Sequence, residues 1–336
     1  MAEPDARRGL PDEWPLVSET AGFEAVQDEL GALGLGDGLP LVPPTAQRLA
    51  AMLAGLAEPE RSLGFMPPLF GDLTIAAVAY NCVLAGCRPE ELALVTTAAV
   101  ACLEPEFNLL GIATTTGSAA IGMIVHGPQV QRLGINASIN CLGPGTRANA
   151  AIGRALSLVL RNIGGARSES GDMATVGQPA KFGLCFGEGV EGDIPWLHAR
   201  RGIGANEDAI TVIGISGTAE ILPAEGRDSP EAILETMAIS MRAAFLTNGA
   251  RKQPALPEHL FILPPELAGQ IRAQGWDLAR IQAYLLDASA HDGQPIAAGA
   301  DDIVPVVTGG PGVKMAHLPL WGGGSRSVTT RLVNLC

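Results

Sequence analysis

Residues 135–165, INASINCLGPGTRANAAIGRALSLVLRNIGG, predict the central element of the fold. Thr146 is a suitable helix N-cap, and Gly164 with Gly165 is a suitable stop signal. We therefore expect a helix that opens near Thr146, preceded by an extended, strand-like segment over residues 135–140. Between these ends the apolar residues recur at helical spacing and would form one buried stripe: Ile152, Leu156, Val159, Leu160 and Ile163.

Cys141 lies where the extended segment meets this helix, on a tight Leu-Gly-Pro-Gly turn. Free backbone N–H groups and the positive end of the helix dipole gather at a helix N-terminus, and a thiol placed there tends to have a lowered pKa. Arg147 and Asn149, in the first turn of the helix, are candidates to bind an anionic substrate. A buried structural cysteine fits the same pattern, since free cysteines are often core residues.

Composition limits the class of protein. The chain has 336 residues, is 47% hydrophobic and 17% charged, and carries a formal net charge of −13. An acidic chain without basic runs is unsuited to nucleic acid or to an anionic membrane as its main partner. The first residues lack the apolar core of a signal peptide, and six cysteines without an export signal predict reduced thiols. We expect a cytoplasmic protein that binds no membrane, and a homo-oligomer because of its apolar excess.

The order of predicted elements favours an α/β (or α+β) class, with a mixed sheet, helices packed on it and a helix-rich N-terminal part. Residues 1–17 read as a loose lead-in. Residues 18–200 form a helix-rich part that carries Cys87, Cys141 and Cys185. Residues 201–336 alternate strands and helices, either as a second domain or as a continuation of the first.

The cysteines allow a second kind of site. None forms a CxxC pair, which argues against a zinc ribbon or a thioredoxin-type motif. Cys87, Cys141 and Cys185 could instead converge on an iron–sulfur cluster whose open iron acts as a Lewis acid on a substrate hydroxyl or carboxylate. Three separate buried thiols explain the sequence equally well.

Proton transfer and substrate contacts have candidates elsewhere in the chain. Glu106 precedes a loop rich in small hydroxyl residues, which includes Thr115 and Ser118, and could serve as a general base. His126 ends an apolar strand and could carry protons. Exposed turn carboxylates and a capped turn histidine are the ordinary alternatives for these two residues.

Glycine-rich turns and cations could hold an anion. The segment 303–314, IVPVVTGGPGVK, is an apolar strand followed by a glycine turn, whose backbone N–H groups at Gly310 and Gly312 could cradle a carboxylate or phosphate. Lys181 is a further candidate clamp, although most lysines are simply solvated. The turn does not match a nucleotide-binding signature.

Two long motifs carry a family resemblance: residues 140–154, NCLGPGTRANAAIGR, and residues 172–181, DMATVGQPAK, followed by Cys185. Together with residues 85–89, AGCRP, and 104–108, EPEFN, they resemble a poorly described bacterial family associated with UGSC-type (seleno)proteins. The resemblance covers the chain from about residue 39 onward. It implies small-molecule metabolism that involves thiol or selenol groups, and it singles out Cys87, Cys141 and Cys185.

These observations lead to three hypotheses. The first is a cysteine-dependent enzyme in which Cys141 attacks a small anionic substrate, with Glu106 or His126 moving protons. The second is an iron–sulfur lyase with the three cysteines as ligands. The third is a non-catalytic scaffold for a small thiol or selenol protein subunit, since this chain has no UGSC segment. Cys336, on an extended tail, is a candidate mobile thiol.

Overall fold

The computed structural model describes residues 7–189, 194–223, 229–248 and 255–335. Cys336 and residues 1–6 lie outside these ranges. The described helices, in chain order, are α1 Phe23–Ala32, α2 Ala46–Met52, α3 Ile75–Ala85, α4 Leu92–Ala101, α5 Leu109–Thr114, α6 Gln129–Arg132, α7 Arg147–Asn162, α8 Leu197–Arg200, α9 Pro230–Thr247, α10 Pro265–Ala273 and α11 Leu278–Ala288.

The described strands form a two-stranded hairpin and two four-stranded mixed sheets, of order β10-β5-β3-β4 and β6-β9-β7-β8. Mixed sheets with helices packed on them confirm the predicted α/β (or α+β) class. The strands are β1 Ser62–Met66, β2 Gly71–Thr74, β3 Ala120–His126, β4 Cys185–Gly187, β5 Ala209–Ile215, β6 Ala219–Ile221, β7 His259–Leu263, β8 Ile303–Val307, β9 Met315–Pro319 and β10 Val328–Arg331.

Helix α7 is the predicted central helix. It begins one residue after Thr146 and ends before Gly165, whose φ of 73° stops the helical hydrogen bonds. Its apolar stripe packs against α3 and α4. The segment before it, residues 135–140, is irregular rather than a strand. Its Asn136 backbone bonds the side chain of Asn149 and accepts a single hydrogen bond from Gly187 N–H of β4.

Two further segments differ from the sequence expectation. Residues 7–17 are packed, not loose: the ring of Trp14 lies 4.8 Å from that of Tyr80, whose hydroxyl donates to the Pro15 carbonyl. The hydroxyl-rich loop after residue 108 begins as helix α5, which Asn108 caps by accepting a hydrogen bond from Gly111 N–H. Apolar side chains of both segments are part of the main helical core.

The two large sheets share an apolar layer. Ile124, Phe186 and Ile213 of the first sheet form one buried cluster with Leu260 and Val304 of the second. The other faces of the sheets pack on helices in separate cores. Burial on both faces accounts for the continuous apolar runs of β3, β5, β7 and β8.

The two sheets have the same strand arrangement. In each, a central strand (β3 or β7) pairs in parallel with the next strand along the chain (β4 or β8) and antiparallel with the one after that (β5 or β9). The outer strand of each sheet comes from the other half of the chain: β10 pairs with β5, and β6 pairs with β9. The two halves therefore exchange one strand and are related by an internal two-fold pseudosymmetry.

The pseudosymmetry axis passes where β5 and β9 end. Ile215 and Leu320 form an antiparallel bridge, with Ser216 N–H donating to Pro319 and, reciprocally, Trp321 N–H donating to Gly214. If Ile215 is placed on Leu320, the strand registers make three further pairs equivalent: His126 with Pro264, Glu188 with Thr308, and Thr211 with Ala316.

Among the described residues, no single helix has both the length and the apolar composition needed to cross a membrane. Two consecutive segments, Pro89–Ala101 and Pro105–Thr114, meet these criteria only jointly, and they are bent by 75° where they join.

Candidate functional site

Cys141 lies at a cleft between the irregular loop that precedes α7 and the turn that follows β8. We call this the thiol cleft, and its lining includes Cys141, Gly143, Thr308, Gly310, Lys314 and Glu220. Its volume is about 400 Å³, enough for a small organic molecule. Cys141 itself is only 6% exposed, so the cleft reaches the thiol at its floor.

Two glycine turns that the sequence singled out separately meet at this cleft. The N–H of Gly309 and the hydroxyl of Thr308 both approach the Ala137 carbonyl, at 3.2 and 2.9 Å. A Cβ on Gly310 would lie 2.5 Å from Cγ1 of Ile139, so only glycine permits this approach. Gly312, on the same turn, has a φ of +135° that disfavours other residues.

Asn149 holds the loop that carries Cys141. Its Oδ1 accepts from the N–H of Asn136 at 2.7 Å, and its Nδ2 donates to the carbonyls of Asn136 and Cys141 at 3.1 and 3.3 Å. These bonds use most of the capacity of the side-chain amide, which is buried. Asn149, predicted to bind substrate, thus positions the thiol from α7.

Opposing effects set the acidity of the thiol. Burial raises the pKa of Cys141, while hydrogen bonds to the sulfur from Thr308 and from the N–H groups of Cys141 and Leu142 lower it, and burial prevails. A position at a helix N-terminus predicts a lowered pKa for this thiol. The structure gives the opposite direction, because the thiol lies in the apolar layer between the sheets.

Other predicted anion-binding cations are engaged elsewhere. Arg147 donates both terminal nitrogens to the carboxylate of Glu91, which is 1% exposed. Lys181 pairs with Asp172 at 2.5 Å. Neither cation lines the thiol cleft. Each forms an ion pair that the sequence pattern did not indicate.

Three further predicted residues also lie outside the lining of the cleft. Thr115 accepts a hydrogen bond from Gly117 N–H, and the Ser118 carbonyl bonds the side chain of Gln178. Glu106 is exposed, and its carbonyl accepts from Arg326 N–H. The contact of Thr115 is local, whereas the other two join segments that are distant in the sequence.

The structure separates the three cysteines that were candidate cluster ligands. Cys141 belongs to the layer between the sheets, whereas Cys185 points from β4 into the helical core on the other face. Cys87 packs at the edge of that core, where a hydrogen bond with Cys82 and burial raise its pKa. Cys141 and Cys185 therefore approach opposite faces of one sheet.

A second group of polar residues, the His–Glu–His cluster, consists of His126, Glu188 and His198. His126 ends β3, Glu188 follows β4, and His198 lies in α8. Nδ1 of His126 lies 2.7 Å from Oε2 of Glu188, and Nδ1 of His198 lies 3.7 Å from the same oxygen. Within the described ranges, this is the group of three or more His, Cys, Asp or Glu residues whose ligand atoms all lie within 4.8 Å of one another.

The cluster is buried and its carboxylate is ionised. Burial alone would raise the pKa of Glu188, but contacts with His126 and His198 and hydrogen bonds from the Leu197 N–H lower it to about 2. Burial lowers the pKa of His126 in spite of its contact with Glu188. A neutral His126 can donate from Nδ1 to Glu188 while Nε2 accepts from Thr211, at 2.7 Å.

A cavity of about 230 Å³ adjoins the cluster. Glu188 and His198 reach its wall, together with Trp196 and Asn206. The Trp196 indole stacks on His198, with ring centroids 5.7 Å apart, and donates Nε1–H to the Gly189 carbonyl at 2.8 Å. The cluster thus has one open side within an otherwise buried setting.

One member of this cluster, His126, is predicted from its position at a strand end. Glu188 lies in a glycine-rich segment, FGEG, without a recognisable motif, and His198 lies in a polar stretch in which arginines follow it. The repeated strand–polar-residue pattern, β3 ending in His126 and β4 followed by Glu188, is the signal that could have paired them.

Comparison with protein-family models finds no match to this chain. A search of curated proteins likewise finds no significant match.

Proposed function

We propose that this chain is a thiol-dependent enzyme that acts on a small anionic organic molecule in the thiol cleft, with Cys141 as the nucleophile. The observation that carries the proposal is the meeting of Cys141 with the two glycine turns at the floor of a cleft of about 400 Å³. A single buried cysteine in a core would not require an open cleft or close backbone approach at Gly310.

The cleft supplies groups for an anion. Lys314 lines it, and the 3.2 Å pair that Lys314 forms with Glu220 is exposed on both sides. Such exposed pairs contribute little stability, so a bound carboxylate can compete for the ammonium. The backbone N–H of Gly310, a residue that lines the cleft, provides a further donor.

Proton transfer belongs to the same cleft. The raised pKa of Cys141 means that its thiol is protonated at neutral pH, so attack on a substrate requires a proton acceptor. Glu220 is a carboxylate within the lining, and we assign it this role instead of Glu106 and His126, which lie elsewhere.

A comparison of iodoacetate with iodoacetamide tests the proposal. The two reagents alkylate thiols by the same chemistry and differ in charge. We expect iodoacetate to be favoured at Cys141 relative to Cys87, which serves as an internal control, and Lys314→Met to remove the preference. Peptide mass spectrometry quantifies each site. A preference at Cys141 no greater than at Cys87 would count against an anion-binding cleft.

Turnover provides the direct test. The protein is incubated with a set of small organic acids, thioesters and activated esters, and consumption is followed by mass spectrometry. We expect at least one to be consumed by the wild type and not by Cys141→Ser, while Cys102→Ser, a buried control, retains activity. Equal turnover by Cys141→Ser would refute the assignment of Cys141.

The same proposal includes a reducing compartment and self-association. The cysteines at positions 82, 87, 102, 141 and 185 are free thiols, which suits a reducing environment. Phe65, Leu69 and Phe70, near the turn of the β1–β2 hairpin, are each more than half exposed, and such an apolar surface is typical of contacts between subunits. Light scattering of the wild type and of Phe65→Ser with Leu69→Ser measures this assembly.

A further inference from the structure

In the His–Glu–His cluster, one ring nitrogen of His198 has no hydrogen-bond partner and lies close to the Glu188 carboxylate. Nε2 of His198 lies 3.4 Å from the Ala205 carbonyl and so carries the ring hydrogen in the neutral tautomer. Nδ1 then presents a lone pair toward Oε2 of Glu188, 3.7 Å away, which is beyond hydrogen-bond distance. In this tautomer the Nδ1 lone pair is oriented toward the carboxylate and can bind a cation there.

No hydrogen-bond partner of His198 Nδ1 is found among the described residues, although this residue is 1% exposed. Buried polar atoms are almost always satisfied, and one that is not needs a physical explanation. A cation between Nδ1 of His198, Oε2 of Glu188 and Nδ1 of His126 would accept all three lone pairs. Two imidazoles and one carboxylate form a ligand set that zinc uses in catalytic sites.

The surroundings fit such ligands. Nε2 of His126 faces the Thr211 hydroxyl at 2.7 Å, so it can carry the ring hydrogen and leave Nδ1 free to bind a metal. The Leu197 N–H donates to both oxygens of Glu188, at 2.9 and 3.1 Å. Outer hydrogen bonds of this kind orient metal ligands and fix their tautomers.

Nearby arginines have their own partners. Arg201 donates to Ser327 and Thr329 and lies 3.6 Å from Glu258. Arg200 donates to the Pro305 carbonyl at 2.7 Å. Because these arginines bond other groups, neither takes the place of a metal at Glu188. Their positive charge, together with that of a divalent ion, would favour an anionic or neutral ligand at the open position.

We propose that His126, Glu188 and His198 bind one divalent metal ion of the zinc type, with an open coordination position toward the cavity of about 230 Å³. Structural zinc sites use four protein ligands, whereas three protein ligands and an open position are typical of catalytic sites. The site is therefore suited to hold a water or a small oxygen ligand. This proposal is independent of the thiol cleft, because the cluster shares none of its lining residues.

Metal titration of chelator-treated protein tests the proposal. Zn²⁺ binding is followed by calorimetry and native mass spectrometry, and Co²⁺ binding by visible absorption, in wild type, His198→Ala and Glu188→Gln. We expect one ion per wild-type chain, an affinity at least about tenfold lower in each variant, and a Co²⁺ spectrum typical of four-coordination. His291→Ala and Cys141→Ser serve as controls and retain the affinity.

A thermal readout separates loss of metal binding from loss of folding. Zn²⁺ should raise the melting temperature of the wild type and of Cys141→Ser, and should raise that of a folded His198→Ala by less at the same Zn²⁺ concentration. If a ligand variant does not fold, two variants of similar side-chain volume are used in its place: His198→Gln, and Thr211→Val, which removes the hydroxyl that faces Nε2 of His126. Absence of stoichiometric binding to the wild type, or binding lost in Cys141→Ser and kept in His198→Ala, would overturn the proposal.

Discussion

Glu188 and Thr308 occupy equivalent positions in the two sheets: each immediately follows the strand that pairs in parallel with the central strand. Glu188 belongs to the His–Glu–His cluster, and Thr308 lines the thiol cleft with Cys141. In open α/β sheets, ligands bind outside the carboxyl ends of the strands. The two candidate sites thus occupy equivalent positions in the pseudosymmetric fold and differ in their side chains.

The acidity of Cys141 can be measured by alkylation of the native protein with iodoacetamide as a function of pH. Because burial raises the pKa of Cys141, its rate should still be rising at pH values where an exposed thiol, with a pKa of about 8.5, has become fully ionised. Glutathione provides the reference curve. If the alkylation rate of Cys141 stopped rising at a lower pH than the rate of glutathione, the result would contradict the raised pKa.

Arg147 should affect stability more than chemistry. Its removal leaves Glu91, which is 1% exposed, without its cationic partner, so Arg147→Ala should lower the free energy of unfolding by about 1–3 kcal/mol, a value reduced for the partial exposure of the arginine. Urea titration measures the loss. The paired change Arg147→Met with Glu91→Gln should be less destabilising than Arg147→Ala; if the single variant is as stable as the wild type, the ion pair has no structural role.

The pair of Asp37 and Arg154 predicts a pH-dependent stability. Burial opposes ionisation of Asp37, but bonds from Arg154, at 2.7 and 2.8 Å, and from Leu39 N–H prevail and lower its pKa. A carboxylate with a lowered pKa stabilises the fold above its unfolded-state pKa of about 3.9 and loses this contribution as the pH falls. Asp37→Asn should therefore be less stable by about 1–3 kcal/mol at pH 7.

The same variant supplies its own control through pH. The difference in unfolding free energy between Asp37→Asn and the wild type should shrink as the pH falls below about 4. A difference that is constant from neutral to acidic pH would mean that the charge of Asp37 is not the cause.

Gly310 should tolerate no side chain. A Cβ there would lie 2.5 Å from Cγ1 and 3.1 Å from Cα of Ile139, so Gly310→Ala must displace the loop that carries Cys141, at a cost of about 1–3 kcal/mol. Gly217→Ala is the matched control, because no heavy atom lies within 4 Å of its Cβ position. Unfolding by urea and the alkylation rate of Cys141 report the change; equal behaviour of the two variants would show that the loop adapts freely.

Local patterns in the sequence were sufficient to predict several of the helices and strands. The helical period after Thr146 predicted α7, and the apolar run before the glycine turn predicted β8. The mixed α/β class follows from the alternation of helices and strands. The β1–β2 hairpin, in contrast, consists of two short strands separated by a turn that contains Pro67 and Pro68, which no local period reveals.

The sites depend on contacts between distant residues, which no local pattern carries. Gly310 and Cys141 were both candidates, but their meeting across the two sheets depends on the exchanged strands. Burial of Cys141 between the sheets reversed the expected direction of its pKa shift. Arg147 and Lys181 were interpreted as substrate clamps because their partners, Glu91 and Asp172, are fixed only by tertiary packing.

The exchanged strands also bear on how the chain folds during its synthesis. The first large sheet begins with β3, yet the outer edge of β5 has no partner until β10, near the C-terminus, leaves the ribosome. An unpaired strand edge is a template for association with other chains, and nascent proteins fold from the N-terminus while such edges are exposed. A strand that is synthesised long after β5 thus closes the sheet that β3 began, and until then the free edge of β5 can pair with other chains.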